Sequence, residues 1–472
     1  MNANQLFLKS ALSKDGEYKT TSGVFNWLSD QNGDVEVNVS PCPLKDIDGW
    51  VFDEVKGLIR HVSDKFFTIE GIKVNSNCLV KEEWQQPIIV QPEIGFLGII
   101  TKEFNGVLHF LLQAKIEPGN INHVQLSPTL QATRSNYTKV HKGREPLYLN
   151  YFRNAKSEQI LVDQLQSEQG GRFLSKRNRN IIIKIDEDIA PQEQYTWLTL
   201  GQIKQLIQFD NLVNMDTRSV ISCCGFGDQK INTINLIDSL PYYPSSNTHT
   251  QKLLKSALIS ETASHSIDEV LSFLTQIKSL CDLNVERMKL GELTDWIVEK
   301  MMIRHQRNEF FKVMAVDIEI GNREVEKWSQ PMIQSMQEGL CAFVVKEING
   351  VLHFAVQAKI ESGNFDVVEF APTVQAITVD YSKSNSEDLP FLNYVINATH
   401  QQIVFDAMQS EEGGRFYHDQ NRYLLVMADS DFSVLLPNNF IWMTLNQINT
   451  FIKFNNYFNI QARSLIAAIP FI

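Results

Sequence analysis

The sequence predicts an α+β protein made by tandem duplication. Three observations carry this. Residues 105–120 read NGVLHFLLQAKIEPGN and residues 349–364 read NGVLHFAVQAKIESGN, identical at thirteen of sixteen positions. Each copy has Asn-Gly between two β-patterned segments, the strongest short hairpin signal, because a type I′ turn needs positive φ at both central residues. Helical patterns and strands then mix without βαβ regularity, which predicts a mainly mixed or antiparallel sheet covered by helices.

The duplication extends well beyond the opening block. Trp84, Gln86 and Pro87 match Trp328, Gln330 and Pro331, and LNY at 149–151 matches LNY at 392–394. QSEQGGRF at 166–173 matches QSEEGGRF at 409–416, and Trp197, Thr199, Leu200 and Gln202 match Trp442, Thr444, Leu445 and Gln447. Arg218-Ser219 matches Arg463-Ser464, so the copies run over roughly 22–222 and 267–470. A period this long means two whole units rather than a solenoid. The expected division is a first unit with an N-terminal helical segment over 1–235 and a second with a leading helical segment over 250–472. The linker, at about 226–250, ends in LPYYPSSNTHT.

The elements of one copy follow in order. Ser266 and Glu269 form a capping box before the apolar-periodic VLSFLTQI, which predicts a helix. Phe96–Glu103 and Val107–Glu117 are the hairpin strands, and Glu117-Pro118-Gly119-Asn120 is the closing turn. Val124–Thr133 is a further strand. Lys156–Glu168 reads as a helix with Gly170-Gly171 as its C-cap. Ile181–Ile185 is a strand, and Leu200–Phe209 the last helix.

Composition bounds the function. At 472 residues, 43% hydrophobic and 21% charged, the chain suits a globular protein of two or three domains. A net charge of −12 argues against nucleic-acid binding, which needs a basic face. No run of 18 apolar residues occurs, so no membrane span is expected. The start, MNANQLFLKSALSK, has no apolar signal region, which predicts a cytoplasmic location. Six Cys, Cys223-Cys224 adjacent and the others scattered, suggest free thiols in a reducing cytosol, with no disulfide frame and no metal site.

Side chains alternate across a strand. In 107–117 one face carries Leu108, Phe110, Leu112, Ala114 and Ile116, a core face. The other carries His109, Leu111, Gln113, Lys115 and Glu117. In the second copy this polar face is His353, Ala355, Gln357, Lys359 and Glu361. Drift at Leu111/Ala355 beside unchanged polar neighbours points to a site rather than to a solvated face. Thr129 and Gln131, with Thr373 and Gln375, share a face of the next strand. Arg172, Arg179, Arg415 and Arg422 could grip a diphosphate through charge-assisted bonds, or form surface ion pairs. Tyr137 and Tyr381 are matched, and Trp84 and Trp328 offer either nucleobase stacking or core packing.

On these blocks, together with SPTLQAT, LNYF and WLTLGQI, the chain resembles the NDP-hexose 2,3-dehydratase family over nearly its whole length. The resemblance implies a homodimer in which each copy is a Nudix-like α/β/α sandwich domain with a mixed sheet. Laid on the Nudix metal helix, the chain has Asp163, Gln164, Ser167 and Glu168, or Asp406, Ala407, Ser410 and Glu411, so most metal-binding carboxylates are missing. The implied substrate is a dTDP-linked 4-keto-6-deoxy hexose, which loses its C2 hydroxyl as water without a cofactor. On this reading His109 or Glu117 is the base, Lys115 or Tyr137 holds the enolate oxygen, and Arg172 and Arg179 bind the diphosphate. His353, Lys359, Glu361, Tyr381, Arg415 and Arg422 are the second-copy equivalents. Ser127 facing Ala371 favours the first copy as the catalytic one. The rival expectations are a Nudix-type pyrophosphohydrolase and a non-catalytic nucleotide-sugar binder.

Overall fold

The computed structural model describes residues 2–33, 35–78, 83–133, 146–227, 248–259, 261–321, 327–376 and 389–472. Most of the expected linker lies outside these residues. Each repeat forms a seven-stranded mixed sheet. In the first, Ile160–Ser167, Arg177–Lys184, Gly95–Phe104, Val107–Ile116 and Tyr195–Thr199 lie in that order, and the short strands Val124–Ser127 and Leu130–Ala132 add to the central pair. Only the pairing of Arg177–Lys184 with Gly95–Phe104 is parallel. The second repeat copies this order with Ile403–Ser410, Gln420–Met427, Gly339–Ile348, Val351–Lys359 and Phe440–Thr444.

The hairpin forms as expected, with Asn105 at φ 48° and Gly106 at φ 74°. Ser266 caps the helix Ile267–Leu280 through the anticipated box. The predicted strand over 124–133 is broken in two around Pro128 and Thr129. Lys156–Glu168 is not a helix. Its core is the strand Ile160–Ser167, paired antiparallel to Arg177–Lys184. The run ILVDQLQS fits either period, and the long-range pairing decides it. The positions laid on a metal helix are therefore on a strand.

The repeats exchange strands. The first repeat's Val37–Cys42 pairs with Phe311–Ile320 of the second, and the second repeat's Leu283–Met288 pairs with Thr68–Ser76 of the first. Each smaller five-stranded sheet is thus completed by the other repeat. Trp50 Nε1 donates to Ser329 O at 2.9 Å, and Trp296 Nε1 donates to Gln85 O at 2.9 Å, across the same boundary. Cores follow suit. One hydrophobic cluster holds Leu108, Phe110 and Leu112 together with Phe354, Val356 and Phe370, and another joins Phe67 and Phe173 to Phe311 and Phe416.

The strand exchange also corrects the reading of the cysteines. Cys78 and Cys281 flank the paired strands Thr68–Ser76 and Leu283–Met288, and they form a disulfide across 203 residues with Cα atoms 5.4 Å apart. No sequence spacing signals a pair brought together by strands of different repeats. Cys42, Cys223, Cys224 and Cys341 are buried free thiols. Among the described residues no helix is long and apolar enough to cross a membrane.

Closing so long a loop restricts the unfolded chain, and its loss costs about 2–5 kcal/mol. Cys281→Ser should lower the thermal unfolding midpoint by several degrees, and dithiothreitol should do the same to the native chain. An unchanged midpoint in both measurements removes the disulfide from the stability of the fold.

Candidate active site

The polar face of the hairpin strand divides into two places. At one end His109 is buried with both ring nitrogens engaged. Nδ1 bonds Val107 O at 2.9 Å, and Nε2 accepts the Glu17 N–H at 3.2 Å. His353 repeats this with Val351 O at 2.9 Å and the Ser264 N–H at 3.0 Å. Burial holds both imidazoles below their ordinary range, so they stay neutral. They latch the segment leading into each repeat onto its sheet. Six residues of strand separate His109 from Lys115, about 20 Å at the usual rise, so one sugar ring does not touch both. Leu111 and Ala355 lie in a second core layer with Trp197 and Trp442 respectively. Both faces of the strand are therefore covered, and the drift there exchanges one buried apolar side chain for another beneath those tryptophans.

At the other end the stripe does converge. Lys115 Nζ meets Glu117 Oε1 at 3.0 Å. Gln131 Nε2 donates to the same oxygen at 2.9 Å. Asn214, the N-cap of the helix Met215–Ser222, donates to Ser127 Oγ at 2.8 Å and to Gln131 Oε1 at 3.4 Å. In the second repeat Gln375 Nε2 donates to Glu361 Oε1 at 3.1 Å, and Asn459 Nδ2 to Gln375 Oε1 at 2.7 Å. Lys359 is the charge beside Glu361. Gln113 and Gln357 are half-buried on the same strands. Thr129 and Thr373 are structural: each hydroxyl donates to a carbonyl of the hairpin strand, Leu111 O or Ala355 O, and accepts a backbone N–H of the neighbouring strand at 2.9 Å.

Each site is finished by the other repeat. The Gly119 N–H donates to Gly413 O at 2.8 Å, and the Gly363 N–H to Gly170 O at 2.7 Å. A β-carbon on Gly119 would strike Phe416 O, and one on Gly363 would strike Phe173 O. These contacts carry the loop after Ser410 into the first site and the loop after Ser167 into the second. In the first site Glu412 comes to face Glu117. Oε1 of Glu412 and Oε1 of Glu117 both lie within 4 Å of the point a β-carbon would occupy on Gly414. In the second site the matching residue is Gln169, which donates to Glu411 Oε2 at 3.4 Å.

The helix behind Glu117 gives a second asymmetry. Asp216, buried, stands where the second repeat has Gln461. Burial first, then the charges of Glu168, Glu412 and Glu117, push the Asp216 carboxyl well above its usual range. Burial raises Glu412 to about 8 against the opposing pull of Arg415. Both settings favour the protonated acid over the carboxylate. Glu168 is raised by burial and accepts from Asn178 Nδ2 at 2.6 Å. The second site has acids of its own, but they are tied elsewhere. Glu369 accepts the Ser167 hydroxyl at 2.6 Å, and Asp419 the Ser335 hydroxyl at 2.6 Å.

The four predicted arginines split into two pairs. Arg179 forms a two-pronged pair with Asp163 at 2.7 and 2.6 Å, and Arg422 with Asp406 at 2.9 and 2.6 Å, both partly exposed across neighbouring strands. They are surface ion pairs and not part of the cluster. Arg172 and Arg415 cross over instead. Arg172 lies 4.0 Å above the Phe311 ring and beside Asp419, Glu411 and Glu361 of the second repeat. Arg415 lies 4.3 Å above Phe67 of the first. Trp84 Nε1 bonds Gln86 at 2.9 Å, and Gln86 holds Gly171 O at 3.0 Å. Trp328, Gln330 and Gly414 O repeat the chain at 3.0 and 2.7 Å. The tryptophans thus support the glycine loops. Tyr137 and Tyr381 lie outside the described residues.

Sequence reasoning missed Asn214, Asp216, Glu168 and Glu412. The signal was present for two of them: Asp216/Gln461 stands two residues before the matched Arg-Ser, and Gln169/Glu412 is the one difference within the QSE-GGRF block. Among the described residues no three of His, Cys, Asp and Glu are placed to hold a metal ion.

Comparison with known proteins agrees with the duplicated architecture. The family model described as NDP-hexose 2,3-dehydratase matches twice, over residues 21–224 and 267–469. A dTDP-4-dehydro-6-deoxy-alpha-D-glucopyranose 2,3-dehydratase of Saccharopolyspora spinosa is 40% identical over 469 residues, covering 99% of this chain and 95% of the relative. One of Amycolatopsis orientalis is 40% identical over 466 residues, covering 98% and 92%. One of Streptomyces violaceoruber is 37% identical over 452 residues, covering 95% and 97%. With both repeats matched and similarity running end to end, the chain belongs to the NDP-hexose 2,3-dehydratase family.

Proposed function

We propose that this chain is a lyase that removes the C2 hydroxyl of dTDP-4-keto-6-deoxy-D-glucose as water, giving a 3,4-diketo-2,6-dideoxy sugar, and that the reaction runs in the first repeat's site. One observation carries the choice of site: Lys115 and Glu117 share a cluster with the buried carboxyl of Asp216, where the second repeat has the amide of Gln461. The full-length similarity to enzymes named for this substrate supports the reaction.

The chemistry follows from the substrate. The C4 ketone acidifies the C3 proton. Glu117 is the base that takes it, since the latched His109 is remote. Lys115 and the Asp216 O–H are the donors for the developing C4 oxyanion, in a buried setting where such donors count most. Loss of the C2 hydroxyl moves the double bond to C2–C3, and the resulting enol tautomerises to the 3-ketone. Arg415, partly buried beside Glu412, is the first-site cation best set to meet a diphosphate, and the buried Arg172 is its second-site counterpart. The same reading has the chain acting in the cytoplasm as a homodimer, each repeat descending from a Nudix-like unit whose metal carboxylates were lost. Light scattering on the purified chain tests the dimer.

Incubating the protein with the keto sugar and following loss of one water by mass, with and without EDTA, tests the reaction. Release of a nucleoside monophosphate, lost on adding EDTA, would mean pyrophosphate hydrolysis instead. Lys115→Met should lower kcat by about 100- to 1,000-fold, the usual effect of losing one oxyanion donor, while Lys359→Met leaves it within a few-fold. Equal losses in the two variants would sink the assignment to the first site. His109→Ala should lower the unfolding midpoint yet keep the turnover of the folded fraction; a folded H109A without turnover would return His109 to the chemistry.

A further inference from the structure

Glu412 belongs to the second repeat by sequence and to the first repeat's site by position. Its loop is pinned there by the Gly119 N–H to Gly413 O bond at 2.8 Å and by the His418 N–H to Gly119 O bond at 2.9 Å. It faces Glu117 over Gly414. We propose that Glu412 is a catalytic acid of the first site, giving its proton to the C2 hydroxyl as the C2–O bond breaks. The inference rests on the dehydratase reading above and adds a residue and a role to it.

Elimination needs a base and an acid at different atoms, in opposite protonation states. Glu117 is held by Lys115 at 3.0 Å and Gln131 at 2.9 Å, partners that favour a carboxylate. Glu412 is partly buried, and burial raises its pKa to about 8, so below that pH it holds the proton an acid needs. The groups facing it are Lys115 and Glu117 at the end of the hairpin strand, Glu168 of the crossing loop, Asp216 of the helix, Lys176, and Arg415 of its own loop. Arg415 and Lys115 stabilise the carboxylate left after proton transfer.

The step balances. Glu117 removes the C3 proton, and the C3–H electron pair forms the C3–C4 enolate. The enolate electrons then form the C2–C3 double bond and restore the C4 ketone. The C2–O bond breaks with its electron pair on oxygen, which takes the Glu412 proton and leaves as water. In the tautomerisation Glu117 returns its proton to C2, and Glu412 recovers one from the C3 hydroxyl. In the second site Gln169, an amide turned to Glu411 at 3.4 Å, has no proton of this kind to give.

The test compares the native chain with Glu412→Gln in deuterated buffer, using dTDP-4-keto-6-deoxy-D-glucose. Water loss in E412Q should fall by about 100- to 10,000-fold, the range for general acid–base catalysis. Deuterium should still enter C3 at a near-native rate, because Glu117 remains. The native kcat should decline as pH rises through about 8, where Glu412 loses its proton; this limb should be absent in E412Q and recovered in part in E412D. A native chain that releases no water overturns the substrate reading and this inference with it. A native chain that does so, beside an E412Q variant with unchanged kcat and pH profile, overturns this inference alone. So does a folded E412Q that has lost C3 exchange together with elimination, since that is a positional defect rather than a missing acid.

Discussion

Gly119 lies so near the carbonyl of Phe416 that a β-carbon there would collide with it, and Gly363 stands the same way against Phe173. Only glycine permits this approach of two backbones, and the rest of the molecule depends on it. The crossing brings Glu412 beside Glu117 and Arg172 beside Glu361. It sets Phe173 edge-on against Phe416, ring centroids 5.9 Å apart, where the repeats meet. Buried guanidinium groups bind the crossing from beneath: Arg218 donates to Ser410 O, and Arg463 donates to Ser167 O at 2.6 Å. The strand exchange and the disulfide act on the same boundary from the smaller sheets. This accounts for the close match of QSEQGGRF and QSEEGGRF, a segment that has to satisfy the crossing in both directions.

The crossing also sets the electrostatics. It gathers Glu117, Glu168, Asp216 and Glu412 around Lys115 and Lys176 away from water. Removing a carboxylate from water is costly, and the groups respond by holding protons. Glu412 moves from 4.5 to about 8. An acid with a raised folded-state pKa favours the folded form most at pH below its ordinary range. That contribution is lost as pH rises toward 8, because the unfolded chain ionises while the folded one resists. The cluster therefore weakens the fold at neutral and alkaline pH, and the surrounding cores have to offset it. A weakened region of this kind is expected where side-chain chemistry, rather than packing, selects the residues.

Local signals made much of the fold legible. The Asn-Gly hairpin, the Ser266–Glu269 capping box and the helix Leu200–Ile207 all depend on near neighbours, and each forms as its residues dictate, although the helix Met215–Ser222 follows where none was expected. The misreadings share one cause. Ile160–Ser167 becomes a strand because Arg177–Lys184 pairs with it, and Cys78 meets Cys281 because strands of different repeats pair. Neither partner lies within a local window. The site was legible by half. Alternation put Lys115 and Glu117 on one face with His109, but a face of a strand is a line, and about 20 Å of it separates the two ends. Alternation says which residues share a side and nothing about which share a place.

Comparing the repeats position by position carries the same hazard. Gln169 against Glu412 reads as an extra acid in the second copy, and Asp216 against Gln461 as an extra acid in the first. Read by repeat, these differences cancel and favour neither copy. The crossing changes the sum, because residue 412 is spent in the first site and residue 169 in the second. Read by site, both carboxyls that face the hairpin glutamate fall together beside Glu117, and both amides fall on the other side. The asymmetry between two pockets of one duplicated chain is thus visible only once the exchange of loops is known.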